Sequence, residues 1–130
     1  MRGILTLVYS MYRIDREETR MPSRNAELLP GTLQLLILRT LVSGAVHGYA
    51  IAKKIKETSS GLLQVEEGSL YPALNRMLVK GWVTAEWGLS ETNRKARYYT
   101  LTREGRKQLT REAGDFRKLV DAIELVLQHA

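Results

Sequence analysis

Cysteine is absent from the 130 residues, which excludes a disulfide scaffold, a thiol nucleophile and any zinc site built on thiolates. Histidine occurs twice, at the distant positions His47 and His129, so neither a nitrogen-ligated metal site nor a base with a partner beside it suggests itself. No Ser-His-acid constellation is visible, and Gly61 or Gly68 alone does not make a phosphate-cradling loop. An enzyme is therefore not expected, and neither is a cofactor or a metal. No apolar run approaches the roughly 20 residues needed to cross a bilayer, so the expected location is the cytoplasm, with no membrane partner. Carboxylates are the scarcer charge: 14 Asp and Glu face 20 Lys and Arg, and the net charge of +6 favours a polyanionic partner. A chain of this length fits one domain that buries about two-thirds of its unfolded surface.

The N-terminus carries a short apolar run, Ile4 to Val8, after a single arginine, but no small-x-small cleavage site follows it. Residues 13–20 are a solvated mixture of charges, and Met21 is followed by the polar lead-in Pro22-Ser23-Arg24-Asn25. Residues 1–27 are expected to be an extension outside the folded domain, the rival being an added helix packed on it. Residues 28–102 are expected to form the domain proper, and 103–130 a C-terminal helix.

Within the domain, Pro30 and Gly31 open a first helix, whose Leu33, Leu35, Leu36, Ile37, Leu38, Leu41 and Val42 cover nearly its whole circumference and predict burial on most sides. Ser43-Gly44 ends it. A second helix follows Gly48, with Ile51, Ala52 and Ile55 on one face and Lys53, Lys54 and Lys56 elsewhere. After the break at Ser59-Ser60-Gly61, a third helix is expected to begin near Gly68-Ser69, with Ser69 as cap and Pro72 in the first turn. Leu70, Leu74, Met77 and Leu78 form its inward stripe, which leaves Ser69, Pro72, Asn75, Arg76 and Val79 outward and Tyr71 at the edge.

After Gly81 the hydrophobic period changes from 3.6 to 2. Trp82 to Trp87 and Arg97 to Leu101 read as strands flanking a long tip, Gly88 to Ala96. Trp82 is expected in the core, as the start of the inward alternation. Thr102 is placed to cap the last helix. The expected fold is mainly α with a small β-hairpin: a winged helix-turn-helix plus a C-terminal dimerisation helix. In that fold the third helix enters the major groove of duplex DNA and the hairpin reaches the backbone. Arg94, Lys95, Arg97, Arg103, Arg106, Lys107 and Arg111 concentrate cations after the proposed reading helix, whereas Glu66 and Glu67 must face bases or point away from phosphates. The candidate DNA-binding set is Ser69, Tyr71, Pro72, Asn75 and Arg76 on the third helix, Lys95 and Arg97 on the hairpin, and Lys53 and Lys54 on the second helix. Asn75 suits a bidentate pair with adenine and Arg76 one with guanine. The rival class is a winged helix whose basic surface meets an acidic protein.

Three segments, His47-Gly48-Tyr49-Ala50-Ile51, Gly68-Ser69-Leu70-Tyr71-Pro72-Ala73-Leu74 and Arg97-Tyr98-Tyr99-Thr100-Leu101-Thr102-Arg103-Glu104-Gly105, together resemble the PadR family of bacterial transcription regulators. The resemblance spans Leu28 to about Arg111. It implies repression of nearby genes by a homodimer that sets two recognition helices on one operator with two half-sites, relieved by a small-molecule effector or another cue. By position it puts Ser69, Tyr71, Pro72 and Asn75 on the recognition helix, and Lys95 and Arg97 on the wing. With one C-terminal helix the chain resembles the short branch of the family. Members of that branch that capture flat drugs stack them on a tryptophan of this helix, where Phe116 is here the only aromatic residue.

The C-terminal helix carries Leu109, Ala113, Phe116, Val120, Ile123 and Leu127 at alternating steps of four and three, a heptad seam that Leu119 and Val126 widen. Two placements are open: a dimer seam, in which the first helix also contacts the partner's last helix, or a helix folded back to close its own core.

Overall fold

The computed structural model describes residues 31–129. The expectations for residues 1–27, and for Leu28 and Pro30 at the head of the first helix, lie outside the described residues.

Helix α1 (Thr32–Thr40) runs into a 3-10 turn at Leu41–Ser43, and a two-residue strand β1 (Val46–His47) leads into α2 (Gly48–Thr58). Helix α3 (Glu67–Val79), the strands β2 (Val83–Leu89) and β3 (Lys95–Leu101), and the 27-residue helix α4 (Arg103–His129) complete the order. The sheet is antiparallel with order β1-β3-β2, so β3 is central. The fold is the expected mainly helical one, with one more strand than the sequence suggests: Val46 and His47 pair with Tyr99 and Tyr98.

One core joins these elements. It takes Ile37, Leu38 and Leu41 from the first segment, Ile51 and Ile55 from α2, and Leu70, Ala73, Leu74 and Met77 from α3. Val46, Val83, Tyr99 and Leu101 close it from the sheet. Periods of 3.6 and 2 therefore converge on one apolar volume, and each fully buried Leu or Ile stabilises the fold by about 1.5–3 kcal/mol relative to exposure.

Four local expectations are corrected. Helix α3 starts at Glu67, so Ser69 is not its cap: the carbonyl of Glu66 accepts from the amides of Ser69 and Leu70, and no side chain caps the end. A carboxylate in the first turn suits the positive end of the helix dipole, and this earlier start moves Pro72 from the first turn into the second. The strands are longer than expected and the tip shorter, residues 90–94. Gly88 belongs to β2 because the Tyr98 ring lies against it, an added Cβ meeting that ring at 3.1 Å. The tip closes through the Ser90 amide donating to the Arg94 carbonyl (2.8 Å), with Asn93 in the left-handed region that asparagine tolerates. The inward alternation of β2 starts at Val83, not Trp82. Trp82 is half-buried against the core edge, with the Lys80 ammonium 4.9 Å from its ring centroid. Finally, α1 buries only Ile37 and Leu38 fully, while Leu33, Leu35 and Leu36 are half-buried.

Thr102 caps α4 as expected. Its hydroxyl accepts from the Gly105 amide (3.0 Å) and donates to the Gly81 carbonyl (2.6 Å), tying the helix to the end of α3. The first half of α4 lies on α1, where Gln34 and Gln108 both donate to the Glu112 carboxylate and Arg106 donates to the Val42 carbonyl (3.3 Å). Leu109 packs against the core of its own domain, and Ala113 is half-buried. Val120 is buried at 8 % exposure. Thus the fold-back placement holds for the first half of the helix, through Leu109, and in the second half Val120 too is buried. Beyond the first half Phe116, Leu119, Ile123, Leu125, Val126 and Leu127 are exposed.

Candidate nucleic-acid interface

The outward stripe of α3 is displayed as expected: Ser69, Tyr71, Pro72, Asn75, Arg76 and Val79 are exposed, while Leu70, Ala73, Leu74 and Met77 anchor the opposite side. Pro72 leaves the helix unbroken. An exposed helix face carrying an amide and a guanidinium, held by a rigid core, is the geometry that reads base edges in a major groove.

The approach of α2 to α3 rests on Gly48. A Cβ there would lie 2.7 Å from the Tyr71 hydroxyl oxygen and 2.8 Å from Cε1, so the Tyr71 ring needs the bare glycine. Two of the quoted segments, His-Gly-Tyr and Ser-Leu-Tyr-Pro, are thus halves of one contact. Burial of the Tyr71 phenol, then the nearby Glu67 carboxylate and Tyr99, raise its pKa above the usual 10.0. The hydroxyl therefore stays protonated at neutral pH and is available as a donor. His47 is the N-cap of α2: its Nδ1 accepts from the Ala50 amide at 3.4 Å. Its ring stacks on Tyr49 and meets Tyr98 edge-on, 5.4 Å between centroids.

Between α3 and the hairpin lies an open recess of about 490 Å³, whose lining includes Tyr71 and Asn75 from α3 and Trp87, Lys95 and Arg97 from the hairpin. With His47 and Tyr49 at the start of α2 also lining it, the structure so brings together three groups of residues far apart in sequence. Register places Trp87 opposite Arg97 and Leu89 opposite Lys95, with all four side chains on the sheet face that also carries Val83 and Leu101. Nearer the core that face is buried; toward the tip it runs past the core and emerges. The Lys95 ammonium sits 5.1 Å and the Arg97 guanidinium 6.0 Å from the Trp87 ring centroid, and Arg97 is also 5.9 Å from Tyr99.

Other candidates fall elsewhere. Lys53 lines a neighbouring recess of about 770 Å³ with Lys56 and Gln64, and Tyr49 belongs to both hollows. Lys54 points away, into a third recess with Leu36, Arg39 and Thr40, and is not brought to the α3-hairpin face. Nor do Arg103, Arg106, Lys107 and Arg111 line that face, because they follow α4 along α1; Lys107 pairs with Glu104 at 3.5 Å. Trp87, Tyr49, His47 and Tyr99 are among the contributors that sequence reasoning missed. For Trp87 the signal was the parity it shares with Val83, which puts it on the inward face of a strand longer than it looked.

Residues 37–111 match the sequence profile described as Transcriptional regulator PadR-like family. Among solved structures, the chain is similar to a PadR family transcription regulator from Clostridium difficile, at 29% identity and TM-score 0.65 over 75% of this chain and 99% of that one. It is similar to a PadR family transcriptional regulator from Eggerthella lenta at 25% identity and TM-score 0.68, over 100% of both chains. A transcriptional regulator from Clostridium thermocellum matches at 28% identity and TM-score 0.68, over 75% of this chain and 95% of that one.

Proposed function

The chain belongs to the PadR-like family of transcriptional regulators, DNA-binding proteins and not enzymes, and from that premise we propose that it recognises a specific duplex operator as a homodimer and represses adjacent genes. The observation that carries the reading is the α3-hairpin recess, where Asn75 and Tyr71 face Lys95 and Arg97. In this reading α3 lies in the major groove, with Asn75 and Arg76 on base edges and Ser69, Tyr71 and Pro72 against the groove wall. The hairpin is the wing, and Lys95 and Arg97 meet phosphates. Lys53 extends the same track along α2.

The dimer reading draws on the far half of α4. Phe116, Leu119, Ile123, Val126 and Leu127 expose a contiguous apolar stripe on an otherwise charged helix, which a second copy covers by a two-fold seam. Leu109, Ala113 and Val120 then support that seam from within the protomer. Half-sites fall about 10 base pairs, or a multiple, apart. Among the described residues no helix is long and apolar enough to cross a membrane. In this reading the protein works where its operator is, in the cytoplasm.

The test is a salt series on specific and unrelated duplexes. Lys95→Ala and Arg97→Ala should weaken binding to all duplexes alike and flatten the log-affinity against log-salt slope by about 1 for each phosphate contact removed. Wild-type affinity and slope in both variants would remove the wing from the interface. Salt-resistant binding to an acidic protein with no footprint on DNA would replace the whole reading.

A further inference from the structure

An exposed lysine or arginine on a hairpin loses side-chain freedom when it meets a phosphate, and that loss weakens the contact. Proteins commonly fix such cations with carboxylates, but a carboxylate also cancels the charge and competes with the phosphate for the same donors. Neither remedy nor penalty applies here. Among the described residues Lys95 and Arg97 have no ion pair; what each approaches is the ring of Trp87, at 5.1 and 6.0 Å. That ring is 64% exposed, large and apolar, and its cross-strand partner is Arg97 itself. Its position follows from the register, since β2 carries its inward face beyond the core and leaves Trp87 largely exposed. An aromatic face attracts a cation through its quadrupole yet leaves the N–H donors and the net charge intact.

We propose that Trp87 is the positioning residue of the wing: its ring holds Lys95 and Arg97 toward the α3 recess, ordered for duplex phosphates but not neutralised. The proposal rests on the reading of the wing as a backbone clamp. Tyr99, 5.9 Å from Arg97, supports the guanidinium from the core side, so Lys95 depends on Trp87 more than Arg97 does.

The experiment measures binding to an unrelated duplex across a salt series for the wild type, Trp87→Leu, Trp87→Phe, the double variant Lys95→Ala/Arg97→Ala, and the triple variant that adds Trp87→Leu. Circular dichroism and melting establish that each is folded. Trp87→Leu should weaken binding roughly five- to thirtyfold and move the salt slope toward that of the double variant. Trp87→Phe, which keeps a ring, should recover most of the loss, and Trp87→Leu should cost nothing further in the double variant. Unchanged binding by the double variant would overturn the clamp reading and this proposal with it. A weakened double variant beside a Trp87→Leu of wild-type affinity would overturn the proposal alone. A loss on Trp87→Leu that persists in the triple variant, with the slope unchanged, would make Trp87 a direct DNA contact and also overturn it.

Discussion

Gly105 and Gly114 lie in the same helix, and the same substitution should act on them in opposite directions. Glycine in a helix interior costs about 1 kcal/mol relative to alanine, so propensity alone predicts that both Gly→Ala changes stabilise. Around Gly114 no described residue lies within 4 Å of an added Cβ, and the gain should appear nearly in full, about 0.5–1 kcal/mol. At Gly105 the same Cβ would fall well inside van der Waals distance of the Trp82 carbonyl oxygen and 2.6 Å from Leu101 Cδ1. The Leu101 methyl can swing aside; the Trp82 carbonyl cannot, because it accepts the Thr102 amide (3.0 Å) in the link between sheet and helix. Forcing a methyl into such a site costs about 1–3 kcal/mol, more where backbone must move, and the helix must also surrender its Thr102 cap, worth about 1 kcal/mol. The clash exceeds the propensity gain, and Gly105→Ala should destabilise by about 1–3 kcal/mol net. Urea unfolding of both variants at one protein concentration, followed by circular dichroism, reads the difference as opposite shifts of the midpoint at constant slope. A neutral or stabilised Gly105→Ala protein would refute the close seating of α4 on the entry to β2.

Asn75→Ala and Arg76→Ala should each relax preference at defined operator positions by about 1–3 kcal/mol while leaving non-specific binding largely intact; selection from random duplexes checks this, and unchanged preference in both would move readout to Gln64, Glu67 or DNA shape. Ile123→Glu sets a charge in the exposed half of α4, where Ile123 contributes nothing to the core, and should give folded monomers without operator affinity. Sedimentation decides it: a wild type that is monomeric at micromolar concentration, or a fully active dimeric variant, would rule out the seam. For Tyr71 the folded pKa is raised, so its contribution is complete below pH 10.0 and is lost as pH rises through the folded value. Wild-type stability should therefore fall relative to Tyr71→Phe above about pH 10 and not below it, as denaturation at stepped pH would reveal.

The sequence was most legible where one period ran uninterrupted. The stripe Leu70, Leu74, Met77 located α3 and, by complement, its exposed face, since helical geometry leaves the remaining positions no other direction. Val46 and His47 escaped because two residues cannot display an alternation; their pairing is decided by β3 on the other side of the fold. Gly88 and Ala96 look like turn residues but face each other in the ladder, where the Tyr98 ring supplies the bulk that glycine lacks. Lys53 and Lys54 are neighbours in sequence, and the roughly 100° step between them puts one beside Tyr49 and the other beside Arg39. The heptad of α4 leaves both a dimer seam and a fold-back open, and only the structure shows that Leu109 in its first half packs on the domain's own core; periodicity shows that a stripe is apolar, not what covers it.

The fastening of α4 to the wing at Thr102 and Gly105 also makes that helix a lever arm. Its 27 residues span about 40 Å, and its near end is clamped to the sheet and to the end of α3. In the proposed dimer the fulcrum is at the far end. A change of crossing angle there of only about 5° sweeps the near end by about 3.5 Å, close to the rise of one base pair. A cue acting on the apolar seam therefore needs no path through the domain core to shift the spacing of the two reading helices by a step of the double helix.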